Sequence, residues 1–101
     1  MPEESTISVE RRPDVVIIRV LAPNLDETNM NKVSTSLTEV AEQAGSLPLV
    51  MDLAKVKYLP SIALRALVQL GNHVRSMGHR LILVSLRRTV REAMVHAGLL
   101  N

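Results

Sequence analysis

The sequence predicts an α/β fold. It is a small mixed sheet, opened by an antiparallel hairpin and continued by parallel strands, with helices packed on one face. Three observations predict it. Short β-branched runs alternate with longer stretches whose apolar residues recur at spacings of three and four. The resulting order, β-β-α-β-α-β-α, implies parallel pairing through right-handed crossovers. The chain of 101 residues, 47% hydrophobic, supplies one core and one domain, residues 1–101.

Each element has its own signal. Residues 1–6, MPEEST, form a polar leader expected to be mobile. ISVERR (7–12) alternates and DVVIIRVL (14–21) is β-branched, so the two predict a hairpin turned near Arg12 and Pro13. Pro23 and Asn24 break the second strand. Asp26 then caps a helix whose stripe is Met30, Val33, Leu37, Val40 and Ala44, and Gly45 stops it. PLVMDL (48–53) is a central strand.

Beyond Pro60, a second helix begins at Ser61 with a stripe of Ala63, Leu67, Leu70, Val74 and Met77, ending at Gly78. RLILVSL (80–86) is a further buried strand. The last helix places Val90, Met94 and Ala97 on one face, with Gly98 at its C-terminal end. The amino ends of the helices are expected to gather at the carboxyl ends of their strands, the edge where open α/β sheets collect their sites.

Composition narrows the function. There is no cysteine, hence no disulfide, thiolate nucleophile or thiolate metal site. Tyr58 is the only aromatic residue and the net charge is +2, which argues against nucleic acid. No stretch is long and apolar enough to span a bilayer, so no membrane insertion and a cytoplasmic location are expected. His73, His79 and His96 lack the spacing of a helical metal site and read as solvated. There is no glycine-rich phosphate loop, so no cofactor is expected. Asp52 ends a strand, where a catalytic acid can sit, yet no neighbouring base accompanies it and a structural role is preferred. Glu3, Glu4, Glu39 and Glu42 read as solvated, and no enzyme site is expected. Arg87, Arg88 and Arg91 open the last helix against its dipole, which suits either plain solvation or an anionic partner.

Ser61 stands at the start of an apolar helix and has two readings. As a cap, its oxygen accepts from amides one turn on, worth about 1 kcal/mol. As a regulatory site, it would carry a phosphoryl group at a donor-rich helix end. About two negative charges would then penalise a docked partner without unfolding the helix.

Three stretches, VVIIRVLAPNLDETN, LVMDLAKVKYLPSIAL and HRLILVSLRRTVREAMVHAGLL, resemble the STAS domain (sulfate transporter and anti-sigma factor antagonist) over about Ile7 to Leu100. The likeness is greatest to the stand-alone bacterial anti-sigma factor antagonists. It implies a small sheet with helices on one side. It also implies a protein partner, an anti-sigma factor that is itself a serine kinase or a stress-signalling scaffold, with homo-oligomerisation left open. Ser61 falls on the family's phosphoacceptor and Leu64 on the leucine of its Asp-Ser-Ser/Thr-Gly-Leu pentad. Pro60, Ile62 and Ala63 replace the other three residues. By the same resemblance, Asn24, Leu25, Asp26, Pro60, Ile62, Ala63 and Arg65 are expected to meet the partner. A second expectation is an accessory subunit of a lipid-transporting membrane ATPase. By the same resemblance, the family's usual last strand and helix are expected to be missing or cut short after Leu100, as in a domain trimmed from something longer.

Overall fold

The computed structural model describes residues 6–96. Along the chain run β1 (Ile7–Arg11), β2 (Val16–Val20), α1 (Glu27–Gln43), β3 (Leu49–Asp52), α2 (Ser61–Ser76), β4 (Leu81–Val84) and α3 (Arg88–His96). The sheet order is β1-β2-β3-β4. β1 pairs antiparallel with β2, while β2–β3 and β3–β4 are parallel. Both crossovers step the same way across the sheet. With right-handed connections α1 and α2 therefore lie on one face.

The register decides which side chains meet those helices. Val16, Leu49 and Leu81 align, as do Ile18, Met51 and Leu83. β2 and β3 bury alternate residues, and Val16, Ile18, Val20, Leu49 and Met51 are all core. That is the signature of a sheet covered on one side. The helices answer with Met30, Val33, Leu37 and Val40 from α1, and Ala63, Leu67, Leu70 and Val74 from α2. On the opposite face a charged row, Glu10, Arg19 and Asp52, crosses three strands, with Arg19 Nη1 donating to Glu10 Oε1 at 2.8 Å.

Three details differ from the sequence reading, and Asp52 keeps the structural role preferred for it. Thr6, placed in the leader, accepts from the Leu21 amide at 2.8 Å, so pairing of the hairpin reaches one residue further. Ala41, not Ala44, completes the α1 stripe, because the helix ends at Gln43 and Ala44 is its cap. His79 is buried, with Nδ1 3.4 Å from the Leu47 carbonyl, since the turn after α2 folds back onto the strand side of α1's exit. Asp52 serves structure, accepting from the Ala54 amide through Oδ1 at 2.9 Å and facing Arg19 across the sheet. Gly45 and Gly78 end their helices with φ of 63° and 88°, a region that favours glycine. The expected positions of Ala97 and Gly98 lie outside the described residues, as do Glu3 and Glu4.

Candidate functional site

The carboxyl ends of β2, β3 and β4 each lead into a loop, and neighbouring strands place the three loops side by side. The middle one, residues 53–60, shows how sequence shapes it. Every third residue is buried: Leu53, Val56 and Leu59. The residues between them, Lys55, Lys57 and Tyr58, are left outside. Tyr58 is 63% exposed.

Hydrogen bonds tie this loop on both sides. Toward α1, the Lys57 amide donates to the Pro23 carbonyl at 2.8 Å, and Tyr58 bridges Asn24 in parallel. Asn29 Nδ2 in turn donates to the Asn24 carbonyl at 2.9 Å. Toward α3, Arg87 Nε donates to the Ala54 carbonyl at 3.0 Å, and Thr89 Oγ1 to the Lys57 carbonyl at 3.4 Å. The edge is thus one continuous surface from α1 across α2 to α3.

Ser61 opens α2, but it does not cap it. Pro60 occupies the cap position with extended backbone, φ −65° and ψ 160°, and its carbonyl accepts from the Leu64 amide at 3.0 Å. That bond starts the helix one residue earlier than a serine cap requires. Ser61 is therefore already in the helical turn, where its oxygen cannot reach the amides ahead of it. Its side chain is exposed, and no side chain caps the helix. The cap expected at Ser61 is thus corrected. α1, by contrast, is capped as expected: Asp26 Oδ1 accepts from the Asn29 amide at 2.8 Å, and Glu27 adds an acid in the first turn. α2 has no acid in its first turn.

The other expected contact residues divide. Asn24, Asp26, Ile62 and Arg65 are exposed and Pro60 is half-buried, so all five reach the surface of this edge. Leu25 and Ala63 do not. Both are fully buried, because Leu25 anchors the β2–α1 loop on the core and Ala63 sits on the inward stripe of α2. Their buried side chains hold the neighbouring residues in place. Ile62 is 56% exposed, unusual for so large an aliphatic side chain. It borders a shallow groove of about 190 Å³ between α1 and α2, whose walls include Glu27, Met30 and Ala66. Tyr58, Lys55 and Lys57 were missed by the sequence reading. The spacing of Leu53, Val56 and Leu59 was the available signal.

Ser61 is exposed, and its side chain makes no capping hydrogen bond in α2. Among the described residues no three His, Asp or Glu side chains gather to hold a metal ion, and no helix is long and apolar enough to cross a membrane.

Comparison with known proteins places this geometry. Among solved structures, an anti-sigma-factor antagonist (STAS) domain protein from Planctomyces limnophilus matches with a TM-score of 0.78 at 18% identity, covering 92% of this chain and 82% of that one. The unphosphorylated anti-sigma factor antagonist SpoIIAA, a Bacillus protein, matches with a TM-score of 0.73 at 18% identity, over 92% and 81% of the two chains. The chain spans only 23% of a third, Mglu, at a TM-score of 0.71 and 20% identity. These likenesses establish the fold. No curated protein matches the chain in sequence. The STAS domain family model matches residues 6–101, nearly the whole sequence, and the chain belongs to the STAS domain family.

Proposed function

We propose that this chain is a non-enzymatic signalling module of the anti-sigma factor antagonist type. It binds a protein partner, an anti-sigma factor with serine kinase activity or a stress-signalling scaffold, in the cytoplasm. Docking uses the surface of Asn24, Asp26, Pro60, Ile62 and Arg65, to which Tyr58 is added. Ser61 is the phosphoacceptor that controls it.

One observation carries this reading: Ser61 is exposed at the uncapped start of α2, beside an exposed Ile62. An uncapped helix start offers unpaired amides that accommodate a phosphoryl group in place. The added charge would meet the partner directly, with no rearrangement of the fold. The STAS neighbours that carry antagonist names support the same direction.

The test is affinity capture with three baits: wild type, Ser61→Asp and Ile62→Glu. We expect an anti-sigma factor or scaffold protein on the wild type and its loss from both variants. Phosphate on the Ser61 peptide of protein isolated from its host, read by mass spectrometry, completes the assignment. Equal capture by all three baits would overturn the docking edge.

A further inference from the structure

The same edge is electrically polarised. At its α1 end stand Asp26 and Glu27, with no base between residues 23 and 31. At its α3 end the balance reverses. Between residues 53 and 60 and between 85 and 92 the charged residues are Lys55, Lys57, Arg87, Arg88, Arg91 and a single acid, Glu92. Glu92 is engaged by Arg88 at 3.2 Å. Among the described residues, Lys55, Lys57, Arg87 and Arg91 have no carboxylate partner. The bonds from Arg87 to Ala54 and from Thr89 to Lys57 bring the two basic segments together.

We infer that the partner presents an acidic protein surface to the basic face made by Lys55, Lys57, Arg87 and Arg91. This rests on the docking edge proposed above and adds the partner's chemistry and orientation. The exposed apolar Ile62 decides for protein over other anions. Ile62 borders the α1–α2 groove beside Glu27 and Met30, so it lies toward the α1 end of the edge rather than the arginine end. A protein interface accepts an apolar anchor beside a charged rim. Single-stranded nucleic acid favours several aromatic groups interleaved with cations along a track, and Tyr58 is the only aromatic residue of the chain. A lipid surface favours apolar side chains ringed by basic ones. The acidic surface then lies over the α3 end, and the charge pattern fixes which way round the partner sits. Such complementarity acts mainly on association rate and is screened by salt.

The test uses the triple charge reversal Lys55→Glu, Lys57→Glu, Arg91→Glu. These side chains are exposed and make no hydrogen bond among the described residues, so the fold should survive, as a thermal melt will show. Poly-glutamate is the probe, followed by amide shifts in NMR. We expect shifts at residues 54–57 and 87–91. Affinity should fall on the order of tenfold in the triple variant, and comparably between about 0.05 M and about 0.5 M salt. Tighter binding to phosphatidylglycerol vesicles or to oligo-dT than to poly-glutamate would overturn the inference. So would binding that the reversal leaves unchanged. The two proposals fail separately. A partner lost with Ile62→Glu yet kept by the triple variant overturns the basic face alone. Poly-glutamate binding at the face, without any partner sensitive to Ser61→Asp, overturns the docking edge alone.

Discussion

Ser61 should be a quiet residue for stability. Its hydroxyl caps nothing, so Ser61→Ala is expected to change the unfolding free energy by less than about 0.5 kcal/mol. Asp26→Ala, which removes a formed cap, is expected to cost about 1 kcal/mol. Urea denaturation of the two variants reads the contrast directly, and equal losses would restore the cap at Ser61. Glu10 offers a third residue-scale test. Hydrogen bonds from Arg12 and then Arg19 hold its carboxyl below the usual carboxylate range. A carboxylate with a depressed folded pKa adds stability above its unfolded titration and loses it as pH falls through the folded value. Glu10→Gln should therefore melt slightly lower than wild type near neutral pH, and the gap should close in acid. The effect is small, because the pair is exposed and screened by solvent. Thermal melts across that pH range check it.

The helices and strands were legible because each carries its own period. Met30, Val33, Leu37 and Val40 announce α1, and Ala63, Leu67, Leu70 and Val74 announce α2, without knowledge of any other element. What could not be read was fixed by distant partners. His79 is buried against Leu47, 32 residues away. The loop of residues 53–60 is held by Pro23 on one side and by Arg87 and Thr89 on the other. Ser61 was legible as an exposed hydroxyl at a helix start. The surface around it was not, because Lys55, Lys57 and Tyr58 join it only through those long-range bonds. The clasp from α3 makes a prediction at this scale. Arg87→Ala removes the bond to Ala54 and should loosen the loop locally. A bond of this kind contributes about 1 kcal/mol, so amides of Val56 and Lys57 should exchange roughly fivefold faster. Amides in β2 and β3 should exchange at their former rates. Hydrogen exchange by NMR separates the two sets, and uniform acceleration would mean that Arg87 supports the whole fold rather than the loop.

Among the described residues the sheet has one covered face and one open one, and this asymmetry governs where mutation is felt. Ile18 and Ile82 are the same side chain on parallel strands of one sheet. Ile18 is fully buried beneath the helices and Ile82, on the other face, is 38% exposed. Truncating Ile18 leaves a cavity among packed neighbours and should cost about 2–5 kcal/mol, a large part of what a domain of this size possesses. Truncating Ile82 removes a group that water already reaches, and should cost less than about 1 kcal/mol. Urea denaturation of Ile18→Ala and Ile82→Ala measures both. The comparison also bears on self-association. If a second copy covered the outer face, Ile82→Ala would approach Ile18→Ala in cost, and wild-type stability would rise with protein concentration. A concentration-independent midpoint, with the two losses well apart, leaves the outer face to solvent rather than to a second copy.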